Sequence, residues 1–470
     1  MSYVDALFDR EHDRIHVVER RDGKRIYREY PANYIFYYDD PRGKFRSIYG
    51  TPVSRFSTRN NKEFRKEIRI QSGKQLYESD INPIFRCLEE NYKDQDAPTL
   101  QTAFFDIEVA FDHERGFSPV EDPFNPITAI SVYLDWLDQL VTLAVPPRHM
   151  SMETAQEIAN NFENTIVFER EEDMINTFLD LIDDADVITG WNSEGYDVPY
   201  TVNRTTRVLS KDDTRRFCLW GQLPKERKFE RYGAEATTFD IVGRVHMDYM
   251  QLYRKYTYEE RHSYSLDAIG EYELNERKTQ YEGTLDQLYN QNFKLFLDYN
   301  RQDTMLIAKL DKKLRFLDLA NELGHANTVL LPTTMGAVAV TEQAIINEAH
   351  ERGMVVPNRK QRLTDEDTQA AGAYVAYPKK GLHDWIGSVD INSLYPSAIR
   401  ACNMGPETIV GQLRPIMTNR IIKERMGQGQ SFAAAWEGLF ATLEYTAVME
   451  QQRGTEITID WHGGEETVHS

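Results

Sequence analysis

Cysteine is nearly missing from this chain: Cys87, Cys218 and Cys402 are the only three in 470 residues, and they lie far apart in no paired pattern. Such spacing excludes a disulfide-stapled secreted fold and a Cys/His zinc cluster, and it suits a reducing compartment. Long apolar runs are missing too. No stretch approaches the length of a bilayer span, and Met1 to Arg10 lacks the apolar centre of a signal peptide, so a soluble, cytoplasmic protein with no membrane partner is expected. Positive charge is the third shortage, with 55 Lys and Arg against 75 Asp and Glu, a net charge of −20. A broadly basic surface of the nucleic-acid-binding kind is therefore excluded, whereas a local basic channel is compatible with the total.

What the chain does have is material for cores. Its hydrophobic content is 41%, including 26 Tyr and 22 Phe, and its length calls for two to four domains. Up to about residue 100, aromatic strand-like pieces alternate with charged turns. Ile15 to Val18, an Asp22-Gly23 turn and Ile26 to Tyr30 predict a hairpin, and Tyr34 to Tyr38 another strand. Arg55, Arg59, Lys62, Arg65, Lys66 and Arg69 make the densest early basic cluster. A solvated helix face is the common meaning of such a run, and contact with a nucleic-acid backbone is the functional one.

The stretch Thr102-Ala103-Phe104-Phe105-Asp106-Ile107-Glu108-Val109 organises the rest. Side chains alternate along a strand, so Asp106 and Glu108 share one face while Phe105, Ile107 and Val109 point into packing. Two acids on one face of a buried strand stay ionised at neutral pH only with a cation between them, which reads as half of a divalent-metal site of oxygen ligands. A strand end whose acids face water is the alternative. Further on, Asp186 to Asn192 predicts a short strand leading through Ser193-Glu194-Gly195 to Tyr196-Asp197, with Val198-Pro199 opening a helix. Helical periodicity then runs from Phe293 to Leu317, with Phe296, Leu297, Met305, Leu306 and Leu310 as packing positions. On that helix Tyr299 and Asp303 share a face. Strands at Ile127 to Leu134 and Leu140 to Ala144, and a helix near Tyr264 to Ile269, complete an α/β unit.

A strand with Asp106 and Glu108, a turn with Asn192 and Asp197, and a helix with Tyr299 and Asp303, in that order, resemble the three exonuclease motifs of the DnaQ-like proofreading domain of family B DNA polymerases. The joint occurrence is far more specific than any one motif. A second string, Ser388-Val389-Asp390-Ile391-Asn392-Ser393-Leu394-Tyr395-Pro396-Ser397, reads as a short strand ending in an acid before a helix, and it resembles motif A of the same family's palm. Within the family the replicative enzymes of T-even-type bacteriophages are the nearest in kind.

The resemblance implies an α/β and α+β multidomain protein. An N-terminal β-rich domain would cover 1–100, with 326–372 folding back on it through a helix at Thr341 to Arg352. An RNase H-like (DnaQ-like) 3′→5′ exonuclease domain would cover 101–325, and 373–470 would be a partial palm. It further implies two divalent ions, Mg²⁺ or Mn²⁺, at the exonuclease site. Asp106 would be shared between them, Glu108 and Asp303 would complete the site that prepares the attacking water, Asp197 would hold the second ion largely through water, and Tyr299 would orient the nucleophile. At the palm, Asp390 with the Ile391 carbonyl would hold the metals of an incoming dNTP. Tyr395, next to Leu394, would lie beneath the deoxyribose and exclude a 2′-hydroxyl. Asn192, Tyr232 (at the turn of a hairpin over Phe229 to Phe239) and Gly372 (in a linker where Ala370 replaces an expected aromatic) are the implied DNA contacts.

Absences again decide what remains. No fingers helix with its Asn-Ser-x-Tyr-Gly occurs, and no Tyr-x-Asp-Thr-Asp supplies a second palm carboxylate. The expectation is therefore the N-terminal part of a replicative polymerase that degrades primer ends by itself. It would polymerise only with a second chain or further sequence supplying fingers, remaining palm and thumb. The implied partners are primer–template and single-stranded DNA, dNTP, that second chain and a sliding clamp. A stand-alone exonuclease and a non-catalytic DNA-binding subunit are the rival readings. The motif A string stands against the first, and the full set of four acids against the second.

Overall fold

Asp22 and Gly23 both take positive φ, +50° and +73°, the two-residue turn that joins strands without splaying them. Around it β1 (Ser2–Asp9), β2 (Arg14–Arg21) and β3 (Lys24–Pro31) form an antiparallel sheet, as expected for the first two predicted strands. A computed structural model of the protein describes residues 2–231, 234–359, 376–405, 412–415, 425–431, 434, 445–448, 456–461 and 464–469. The chain forms two units. One comprises Met1–Tyr34, Thr58–Phe64 and Ile81–Glu348, the other Ile35–Ser57, Arg65–Asp80 and Ala349–Ser470.

In the second unit β16 (Met354–Val355) lies beside β5 (Phe45–Ser47) in a five-stranded sheet. Its other members are β4 (Tyr34–Asp39), β6 (Pro52–Thr58) and β7 (Leu76–Tyr77), in the order β16-β5-β6-β4-β7. Val53, Tyr77 and Val355 fill its small core. Between β6 and β7 runs α1 (Asn61–Ile70), which buries no residue fully.

The first unit is built on a six-stranded mixed sheet: β8 (Thr102–Val109), β9 (Ile127–Leu134), β10 (Gln139–Ala144), β11 (Thr165–Val167), β12 (Val187–Gly190) and β15 (Val245–Asp248). Their order is β11-β10-β9-β8-β12-β15. Helices follow strands, as the α/β pattern predicts. Besides α2 (Pro83–Tyr92), which covers the first sheet, they are α3 (Met152–Ala159), α4 (Glu171–Leu181), α5 (Asp197–Val208), α6 (Tyr249–Tyr256), α7 (Leu266–Leu274), α8 (Leu285–Gln291), α9 (Phe293–Leu314) and α10 (Phe316–Ala326). On one face Phe105, Ile107, Val132 and Ile188 pack against Met174 and Phe178 of α4 and Val198 of α5. On the other, Phe104 and Val187 pack with Leu306 and Leu310 of α9, while Ala129 and Ala144 pack with its Phe296 and Leu297. Alternation along β8 thus turns Asp106 and Glu108 toward α9. The hairpin β13 (Lys225–Arg231) and β14 (Ala234–Asp240) projects before β15; its turn, with Tyr232, lies outside the described residues.

Three expectations need correction. The helix predicted to Leu317 stops at Leu314, because Arg315 adopts a left-handed φ of +55°. The Asp311 carboxylate then accepts from the Leu317 N–H at 3.3 Å and starts α10. Ser388 to Ile391 is no strand: the backbone there is irregular and exposed on both sides, and α12 (Leu394–Ala401) follows it, after α11 (Ala337–Glu351). A strand is held by the ladder it joins, and among the described residues none pairs with this one. The alanine-rich stretch Ser431 to Ala447, whose composition predicts a helix, ends instead as β18 (Tyr445–Val448), paired with β17 (Gln412–Pro415), and most of its remainder lies outside the described residues. The last hairpin is β19 (Glu456–Trp461) with β20 (Gly464–His469). Among the described residues no helix is long and apolar enough to cross a membrane.

Candidate functional site

Strand β12 can approach β8 closely because Gly190 has no side chain: a Cβ there would stand 2.7 Å from the Phe105 carbonyl oxygen. The chain then turns through Asn192, whose φ of +62° is one that Asn tolerates. Asp248 holds this turn. One of its oxygens accepts from the Asn192 N–H at 3.1 Å and from Met250 N–H at 2.9 Å at the start of α6, and the other accepts from Glu194 N–H at 3.2 Å. Asp197 follows as the first residue of α5, buried, with the Ile107 N–H of β8 donating to it at 3.3 Å. From the opposite side α9 presents Tyr299, Asn300 and Asp303.

One ligand oxygen each from Asp106, Glu108 and Asp303 lies within 4.8 Å of the others. Burial, and then repulsion by the neighbouring acids, raises the Asp106 carboxyl well above its ordinary range and Glu108 to about 8. Burial likewise raises Asp197 to about 7 and lifts Asp303. Such crowding is unfavourable unless positive charge enters it. One cation already does. The Lys278 Nζ donates to Asp303 and, at 3.2 Å, to the Tyr299 hydroxyl, and although burial works against its charge, the acids around it hold its pKa up. Asp267 of α7 fixes the Lys278 backbone, accepting from its N–H at 2.9 Å. Asn300 donates from Nδ2 to the Asp106 carboxylate at 2.8 Å. One oxygen of Asp303 and the amide oxygen of Asn300 are buried without a hydrogen-bond partner.

Three of the expected acids thus converge with Tyr299, and Asp197 adjoins them through β8. Asn192 sits in the turn that leads to Asp197. Asp390, Ile391, Leu394 and Tyr395 are exposed residues of the other unit, and Gly372 lies outside the described residues. Lys278 and Asn300 escaped the sequence reading. A single Lys in a polar loop carries no periodicity, and Asn300 is marked only by standing three residues before Asp303 on the same helix.

Comparison with known proteins gives the family. The pattern described as "DNA polymerase family B, exonuclease domain" matches residues 54–269, and that of "DNA polymerase family B" matches 331–444. Similar proteins include the DNA-directed DNA polymerase of Escherichia phage RB69, 26% identical over 79% of this chain and 43% of that protein. That of Enterobacteria phage T4 is 30% identical over 53% of this chain and 27% of its own length. The DNA polymerase delta catalytic subunit of Bos taurus is 28% identical over 67% and 28% respectively. The chain belongs to DNA polymerase family B, with its exonuclease domain and part of its polymerase domain. It spans less than half the length of these curated relatives.

Proposed function

We propose that the carboxylate cluster is the 3′→5′ exonuclease centre of an RNase H-like (DnaQ-like) domain in the N-terminal portion of a replicative DNA polymerase. The observation that carries this reading is the convergence of Asp106, Glu108 and Asp303, with one oxygen of Asp303 buried and partnerless. An all-oxygen donor set with no Cys or His fits Mg²⁺ or Mn²⁺, and the proposal includes two such ions, held by Asp106, Glu108, Asp303 and Asp197. When bound, they supply positive charge and Lewis acidity at a phosphodiester. Asn300 fixes the orientation of Asp106. Lys278 favours the ionised form of Asp303 against the effect of burial and leaves the Tyr299 hydroxyl, which burial keeps protonated, as a donor that orients the attacking water. Asn192, Tyr232 and Gly372 are assigned to DNA contact.

Within 331–444, Asp390 with Ile391, Leu394 and Tyr395 is assigned to dNTP binding in a palm completed by fingers and thumb. The exposed apolar side chains of Val389, Ile391, Leu394, Tyr395 and Ile399 support a covering partner there. A sliding clamp and action in the cytoplasm of a phage-infected cell belong to the same proposal, as does the division at 1–100, 101–325, 326–372 and 373–470. The test is a gel assay of the chain with end-labelled primer on template and Mg²⁺. Chelator-sensitive shortening that disappears in Asp197→Ala is expected, and unchanged hydrolysis in that variant overturns the site assignment.

A further inference from the structure

Helix α1 carries Lys62, Arg65, Lys66 and Arg69 at i, i+3, i+4 and i+7, the spacing of a single helical stripe. All four are exposed, as are Arg55 and Arg59 just before the helix. In a chain whose net charge is −20, cations are normally neutralised by the plentiful acids. Here they are not. Two carboxylates on the same helix could do so, but Glu63 accepts from the Thr58 hydroxyl, and Glu67 accepts from the Gln71 amide at 3.0 Å. Among the described residues none of the six cations is in an ion pair. Phe64, whose ring lies 5.2 Å from that of Tyr34, anchors the helix from another side, so the stripe is not needed to hold it.

We infer that this stripe is a docking surface for the phosphate backbone of single-stranded DNA, independent of sequence. Unpaired cations kept apart from neighbouring acids lose no intramolecular partner when they meet phosphates, and each contact releases condensed counterions. The stripe has no aromatic or amide side chain to stack on bases or read their edges, so it supplies affinity without readout. It spans about 10 Å, at 1.5 Å per residue, which fits a short run of one strand. The inference extends the exonuclease reading, because a nuclease working at a strand end gains from holding the strand elsewhere.

The test uses the full chain with Lys62, Arg65, Lys66 and Arg69 all changed to Gln, and a second variant, Arg65→Glu with Lys66→Glu. Affinity for a 30-nucleotide oligo-dT is followed by fluorescence anisotropy between low and moderate salt. The fourfold variant should bind at least about tenfold more weakly at low salt, and the slope of log affinity against log salt should fall by about 0.7 for each phosphate that is no longer neutralised. Melting temperature and the excision rate on a short oligonucleotide should stay at their original values in both variants, with the Glu pair binding still more weakly. Unchanged affinity and slope overturn the inference. So does the reverse pattern, in which polyglutamate binding is lost and DNA binding kept, which would mark the stripe as a site for an acidic protein. If the unaltered chain fails to excise, the exonuclease reading falls while the salt slope still decides this one.

Discussion

Asn300 has no surface exposed to solvent, and its amide nitrogen is committed to Asp106, so its role is readable in a single substitution. Asn300→Leu keeps the branched outline and removes the donor. Groups that orient ligands in this way matter to metal affinity by about 10- to 100-fold. The variant should bind Mn²⁺ at least about tenfold more weakly by calorimetry while staying folded; unchanged affinity would mean that β8 alone fixes the carboxylate. Asp5 makes a different case, one of burial without chemistry. Its carboxylate accepts from the Gly243 N–H at 2.6 Å, and burial raises its pKa to about 6. A folded-state value above the unfolded one means that ionising Asp5 costs stability. The cost is absent below about pH 4, grows as pH rises and is complete above about pH 6, amounting to about 3 kcal/mol. Asp5→Asn should lose that slope, so denaturant-unfolding free energies of the two proteins between pH 4 and 7 should diverge by about this amount. Parallel curves would show that Asp5 stays solvated.

At the scale of elements, the approach of β12 to β8 depends on Gly190. Gly190→Ala sets a methyl against backbone that has no rotamer to yield, so a loss of about 2 kcal/mol or more is expected. Because β12 leads into the turn before Asp197, metal affinity should fall with it; a melting temperature within a degree of the original would show that the sheet can open there. Elements of this kind explain what could be read beforehand. The two-residue alternation of β8 told which face its acids occupy, and the Asp22-Gly23 turn told where a hairpin closes, because both are local rules. The end of α9 was not legible: apolar periodicity continues through Leu314 and Leu317, and only the Asp311 cap and the left-handed Arg315 reveal the break. The absence of a strand at Ser388 to Ile391 has the same cause, since pairing is a property of neighbours and no pattern within the segment records it. Lys278 reaches the acids through the fold of a loop, which a sequence cannot display.

The molecule as a whole carries its proposed function at the expense of stability, with three buried acids and the half-buried Asp106 on facing elements and one lysine among them. Divalent ions bound only by the folded state stabilise it by mass action, about 2.7 kcal/mol at a hundred times their dissociation constant. Mg²⁺ or Mn²⁺ should therefore raise the melting temperature, and chelator should reverse the rise. Asp106→Asn should melt higher than the original without metal and respond little to it; an undiminished metal response in that variant would place the binding elsewhere. The acidic total has a further bearing at this scale. Repulsion between the protein and nucleic acid in bulk leaves association to local features such as the α1 stripe, so binding should be steeply sensitive to salt.

Arg227, near the root of the β13–β14 hairpin, reaches Asp240 at 2.8 Å and Glu194 at 2.7 Å, while Asp248 grips the backbone of that same Glu194. Seven residue pairs make the ribbon about 23 Å long, clamped at one end to the turn that leads into Asp197. Rooted beside the carboxylates, the ribbon would carry a displacement along it to the turn as torque.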